Sequence, residues 1–152
     1  SRSASSDCSQ GATTKYSAAE ATSIDSDTRS PTIIPAAIRS ALGSNPKGPK
    51  RRNGDHRTPE GRYLLDWRIE QSRFYRAIHV SYPNEQDRRF ALGAGILPGG
   101  GVMIHGLPDG ESWVGDLHRE FDWTNGCIAV TDDEMDEIWE LVDDGTPIEI
   151  RP

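Results

Sequence analysis

The alternation in residues 74–82, FYRAIHVSY, limits the fold more than any other stretch of the chain. Phe74, Ile78, Val80 and Tyr82 fall on one face of an extended segment, and Tyr75, Ala77, His79 and Ser81 on the other. A period of two marks a half-buried strand. Residues 62–69 (RYLLDWRI) read as a second strand. Residues 102–105 (VMIH) follow the LPGGG turn as a short third, and 147–150 (PIEI) form a terminal one. Residues 85–92 are a candidate short helix. The best-defined helical period follows Cys127: Thr131 is placed as N-cap with Glu134 three residues on, a capping box. Met135, Ile138, Trp139 and Val142 then recur at i, i+3, i+4 and i+7, and Gly145 closes the helix.

The front of the chain has neither period. Residues 1–30 contain nine serines with scattered charge, and such a segment cannot bury enough apolar area to offset about 1–2 kcal/mol of backbone entropy per ordered residue. Residues 1–40 are therefore expected to be a disordered tail and residues 41–152 a single, mainly β domain with one helix docked after Cys127. Residues 42–63 are dense in Gly, Pro and Asn, which is loop chemistry. The formal net charge is −7, and Lys50-Arg51-Arg52 is the one dense basic run, so no nucleic acid partner is expected. No apolar run approaches the roughly 20 residues of a membrane span. Residues 31–42 are interrupted by prolines and an arginine. No export signal is legible, and a start at Ser1 instead of Met leaves the export route unread.

The chemistry concentrates around WTNGCIAV at 123–130. Cys127 is one of two cysteines, the other being Cys8 in the serine-rich tail, and four readings are open for it: buried small hydrophobe, disulfide half, metal ligand or nucleophile. No Cys-x-x-Cys or His-x-x-x-His spacing supports a metal site. A cysteine nucleophile attacks as thiolate and needs a base, access and oxyanion donors. His105-Gly106 ends an apolar strand, where a ring can be aimed into a cleft. Residues 107–124 form a long loop carrying Trp113, His118, Arg119, Asp122 and Trp123, and polar and aromatic groups on a loop between anchored strand ends suit a binding cleft. The packing reading and the nucleophile reading both fit these residues.

IHG at 104–106, a spacer, and TNGC at 124–127 together resemble the L,D-transpeptidase (YkuD-like) catalytic domain family, whose pattern is His-Gly, then Ser/Thr-x-Gly-Cys. GDHRTPEGRY at 54–63, IHVSYPN at 78–84 and DWTNGCIAVT from Asp122 agree with it. The resemblance spans about residues 41–152. It implies a β-sandwich or barrel and an enzyme acting on peptidoglycan stem tetrapeptides outside the cytoplasmic membrane, in the periplasm or an equivalent space. Cys127 would attack the carbonyl of the third stem residue, expel D-alanine and form a thioester. An amine, from a neighbouring stem or in some members a lipoprotein lysine, then takes the acyl group. His105 would be the base, and the Gly106 carbonyl would hold its tautomer. Gly126 and Cys127 N–H groups would serve as oxyanion donors, and no cofactor or metal is needed. The DWTxGCIA form also resembles a subgroup containing an amidase that releases lipoprotein from peptidoglycan, so hydrolysis at the same thioester, or binding without catalysis, are the alternatives. Asn125 stands where many members have histidine, and Ala129 where many have arginine. The serine-rich tail replaces the opening pair of strands seen in relatives, so an unpaired sheet edge is expected.

Thr124, Asn125, Trp123, Trp113, His118, Arg119 and His79 are the candidate substrate contacts. The competing readings are plain ones: His79 as a solvated strand histidine, the loop aromatics as pins for the loop, and Arg57 as a partner for Asp55. Asp122 either orients His118 or caps a turn. Asp132, Asp133, Asp136, Glu137 and Glu140 read as a solvated helix face.

Overall fold

The computed structural model describes residues 38–152 together with the strand pair Ala21–Thr22. One six-stranded sheet curls into a half-barrel, in the order β1 (Ala21–Thr22), β6 (Thr146–Ile150), β2 (Gly61–Ser72), β3 (Tyr75–Val80), β4 (Met103–His105), β5 (Ile128–Ala129). Among the described strands, β4 and β5 run parallel and the other neighbouring pairs antiparallel.

The alternation in β3 works as expected from Ile78 onward: Ile78, Val80 and Tyr82 enter a core with Tyr63, Leu65, Val102, Ile104, Ile128, Val130 and Ile148. Phe74 and Tyr75 exchange faces relative to the expectation. They lie at the β2–β3 turn, where Tyr75 adopts φ 65°, which breaks the phase of the alternation. Tyr75 packs towards the main core, and Phe74 packs against His105 on the other side of the sheet.

The helix α2 (Asp132–Leu141) carries the capping box formed by Thr131 and Glu134. Met135 is fully buried, and Ile138 and Trp139 pack against the core. The helix ends at Leu141, short of Gly145, which instead serves the turn into β6 with φ 92°. The candidate short helix is present as α1 (Glu85–Ala94), capped by Asn84 and Asp87.

The expected tail lies largely outside the described residues. Within it, Ala21 and Thr22 pair with Ile150 and Glu149 and cover part of the β6 edge. At the opposite edge, Ala41 exchanges two backbone hydrogen bonds with Ala129, at 2.9 and 2.8 Å. The Leu42 N–H donates to Asp122 Oδ1 at 2.8 Å, so residues 41 and 42 seal the β5 edge.

Candidate active site

The parallel register of β4 and β5, Ile104 with Ile128 and His105 with Ala129, decides where the chemistry lies. Paired residues share a face, as do alternate residues along a strand. Met103, His105, Cys127 and Ala129 therefore project to one side of the sheet, while Ile104 and Ile128 project to the core under α2. A strand spacing of 4.8 Å and two residues of 3.3 Å rise place the Cα atoms of His105 and Cys127 about 8 Å apart, a gap that two side chains on one face can close.

His105 is 1% exposed. Its Nδ1 lies 2.7 Å from the Gly106 carbonyl, and a carbonyl only accepts, so Nδ1 carries the proton and Nε2 the lone pair. Nε2 has no hydrogen-bond partner. Burial pushes the histidine down to about 4, only partly opposed by the Gly106 carbonyl, and a charge on His118 lowers it further. The ring is neutral near pH 7 with its basic nitrogen unengaged. Phe74 and Trp123 flank it, with centroids at 4.6 and 5.9 Å.

Gly106 must be glycine. A Cβ there would stand 2.6 Å from Asp132 Oδ1 and 2.9 Å from Tyr75 Cβ. Gly126 is equally constrained, by φ 126° and by Arg57 O at 2.6 Å from a would-be Cβ. Its expected part as an oxyanion donor does not hold in this arrangement, because the Gly126 N–H donates to Thr124 Oγ1 at 3.1 Å. Thr124, 3% exposed, in turn donates from Oγ1 to the Cys127 carbonyl at 2.7 Å. Thr124 thus staples the turn before Cys127, with its hydroxyl both donating and accepting within that turn.

Cys127 is 1% exposed. Its sulfur lies 3.4 Å from the Met103 N–H and 3.7 Å from the Gly101 carbonyl. The residue is disulfide-bonded in this structure. Any nucleophilic role therefore belongs to its reduced form.

The remaining candidates divide. His79 is not simply solvated: its Nδ1 meets Asp66 Oδ1 at 2.6 Å, and its ring stacks on Trp67 at 4.5 Å. Asn125 Oδ1 meets His56 Nδ1 at 2.7 Å. The loop between β4 and β5 contains a 3-10 segment, Ser112–Glu120, broken at Gly115. Asp132 and the capping residue Glu134 clasp it; of the acidic face expected to be solvated, Asp133 and Glu140 are exposed, whereas Asp132 and Asp136 are engaged. Asp132 accepts from the Leu107 N–H at 2.8 Å and from Ser112 Oγ, Glu134 pairs with Arg119, and Asp136 holds Tyr75 and Arg76. Arg119 is thereby committed to Glu134 and Asp116. Trp113 is 81% exposed, whereas His118 is 7% exposed with neither ring nitrogen hydrogen-bonded. Burial, with the neighbouring Arg119 charge, pushes His118 down to about 4. Asp122 ties down Leu42 and does not orient His118.

The sequence reading missed Lys50. Its side chain is 1% exposed and pairs with Asp55 at 3.1 Å. The Asp55 carboxylate also accepts the backbone N–H groups of Arg51, Arg52 and Arg57; burial would raise it, but the Arg51 and Arg52 bonds and Lys50 outweigh burial and hold it below its ordinary range. This pair knits the loop whose Arg57 carbonyl presses on Gly126. In the sequence Lys50 looks like one member of a solvated basic run, and nothing in the spacing signals its burial. Among the described residues, no cluster of three or more His, Cys, Asp or Glu could hold a metal ion, and no helix is long and apolar enough to cross a membrane.

Three comparisons bear on this geometry. The profile of the YkuD L,D-transpeptidase catalytic domain matches residues 28–150. The Escherichia coli K12 protein named "Putative L,D-transpeptidase YafK" is 35% identical over 97 residues, covering 62% of this chain and 32% of that protein. The crystal structure of the helical cell shape determining protein Pgp2 from Campylobacter jejuni aligns with TM-score 0.52 and 29% identity, over 70% of this chain and 34% of Pgp2. This chain thus spans about a third of the length of these relatives. With most of its length matched by one family, the chain belongs to the YkuD family of L,D-transpeptidase catalytic domains.

Proposed function

We propose that this domain is a cysteine acyltransferase that works on peptidoglycan stem tetrapeptides outside the cytoplasmic membrane. The observation that carries the reading is His105, with Nδ1 tied to the Gly106 carbonyl and an unengaged Nε2, on the same sheet face as Cys127. Family membership supports the general class of reaction.

In the reduced protein, Nε2 takes the Cys127 thiol proton as sulfur attacks the carbonyl of the third stem residue. The scissile C–N bond breaks, the imidazolium returns the proton to the departing D-alanine nitrogen, and a thioester remains. An acceptor amine then attacks the thioester, passes a proton to His105 and releases the thiolate, which is reprotonated. A neutral, buried imidazole suits a thiol proton acceptor better than a resting ion pair, because burial penalises the charged ring. The Met103 N–H on the sulfur favours the charge that builds there. Cys127 and His105 are each 1% exposed, so the reaction also requires Phe74, Trp123 and the 107–124 loop to draw aside for the peptide.

The test is incubation of the full chain, under reductant, with a stem tetrapeptide and an amine-bearing stem, followed by mass analysis. Release of D-alanine with a cross-linked product is the expected result. Free tripeptide in place of the cross-link identifies water as the acceptor. No release by the reduced, folded protein overturns the proposal.

A further inference from the structure

We infer that Trp67, His79 and Asp66 form a sugar-binding platform on the Cys127 face of the sheet, seating the glycan ring that bears the stem peptide; the inference rests on the function proposed above. The platform arises from a β-bulge. Leu65 pairs with Val80 and Arg68 with Ile78, so Asp66 and Trp67 together stand opposite one residue, His79. A bulge of this kind re-aims side chains, and here both turn to the same imidazole. Asp66 Oδ1 lies 2.6 Å from His79 Nδ1, and the Trp67 ring stacks on the imidazole at 4.5 Å and 13°. One face of the indole is therefore covered, while the residue as a whole stays 41% exposed.

A flat, fixed aromatic face beside a half-exposed carboxylate suits a pyranose. The C–H groups of the sugar pack on the indole, and its hydroxyls donate to Asp66. Isolated exposed aromatics are ordinary on protein surfaces. This one is stacked on an imidazole that Asp66 holds, and it lies on the Cys127 side of the sheet. His79 pairs with Met103, and Met103 clusters with Cys127.

Distance gives a further argument. From Cys127 across β4 to His79 is two inter-strand steps, about 9.5 Å at 4.7–4.9 Å each, and the Trp67 ring lies a further 4.5 Å away. A stem attacked at its third residue spans about 10–11 Å when extended, before the group that joins it to the sugar. With the scissile carbonyl at Cys127 and the stem running across β4 and β3, the sugar arrives over Trp67.

Calorimetric binding to the reduced full chain carrying Cys127→Ala tests this, with a disaccharide-tetrapeptide and the bare tetrapeptide as ligands. The expected result is about tenfold tighter binding of the disaccharide form, equivalent to about 1.4 kcal/mol. Adding Trp67→Ala should abolish that difference and leave tetrapeptide binding unchanged, while Trp67→Phe keeps part of it. Equal binding of the two ligands to Cys127→Ala overturns the platform, as does an equal loss for both on adding Trp67→Ala, which is what a purely structural stack predicts. Release of D-alanine from bare tetrapeptide by the wild-type chain is read separately. If release persists while the platform test fails, only the platform is lost; if release is absent, the proposed function itself has failed.

Discussion

The two faces of the sheet follow different rules although they share every strand. Under α2, Ile78, Val80, Ile104, Ile128, Val130 and Met135 are at most 4% exposed and form one continuous apolar core. Among the described residues, the opposite face has a small cluster of Ala77, Met103 and Cys127 with Ile69. Beside it stand groups that a stability-driven core avoids: His105 Nε2 and Trp123 Nε1, both buried without a hydrogen-bond partner. Each such group costs about 1–3 kcal/mol, and the α2 face supplies the apolar burial that offsets it. Local departure from good packing and full pairing is expected where a protein keeps its chemistry.

The sharpest test of this contrast is a pair of substitutions measured for both activity and stability under reducing conditions. Cys127→Ala should lower acyl transfer by at least about a thousandfold and move the denaturant midpoint little. Met135→Ala, at 0% exposure, should cost about 2–5 kcal/mol of stability and leave turnover per folded molecule near wild type. Comparable stability losses in both variants would erase the division between the faces.

Lys50→Met should cost about 3–5 kcal/mol in chemical unfolding, because it strands the Asp55 carboxylate in a buried site. Lys50→Met combined with Asp55→Asn should recover part of that loss. An unchanged midpoint for the single variant would show that the pair does not hold the loop under Gly126.

The histidines sharpen the comparison through pH. In the folded chain His105 and His118 both sit at about 4, below their ordinary 6.5. The unfolded chain therefore binds protons that the folded chain does not. Their stabilising contribution is complete above pH 6.5 and is lost as pH falls towards 4. For His105 this amounts to about 3 kcal/mol at 1.36 kcal/mol per unit. Asp55 and Glu134, both held below their ordinary values of 3.8 and 4.5, begin to act only below about pH 5.5, so unfolding midpoints between there and pH 6.5 report mainly the histidines. His118→Asn should flatten that slope, and a slope equal to wild type would show that the ring is not dry. The smallest effect is expected at Trp113, 81% exposed. Trp113→Ala should change stability by less than about 0.5 kcal/mol, and a larger loss would mean that this indole does pin the loop.

Much of this was legible from local pattern. Alternation and the Thr131–Glu134 capping box are short-range properties, so β3 from Ile78 onward and α2 were readable directly, and the spaced His-Gly and Thr-x-Gly-Cys motifs pointed to the family. Turn geometry was harder to read: the positive φ at Tyr75 swaps Phe74 and Tyr75, and the bulge that gathers Asp66 and Trp67 at His79 leaves no periodic trace. Long-range pairing was not readable at all. Burial of Lys50, the clasp of the 107–124 loop by Asp132 and Glu134, and the commitment of the Gly126 N–H to Thr124 depend on which segments meet in space.

By itself the sequence determined which residue types are available and the period in which they recur, because propensity and amphipathicity act over a few neighbouring positions. Only the tertiary structure decided that His105 and Cys127 share a dry face. That outcome depends on the parallel register of β4 and β5, and a shift of one residue would turn the cysteine into the core, since side chains alternate across a sheet.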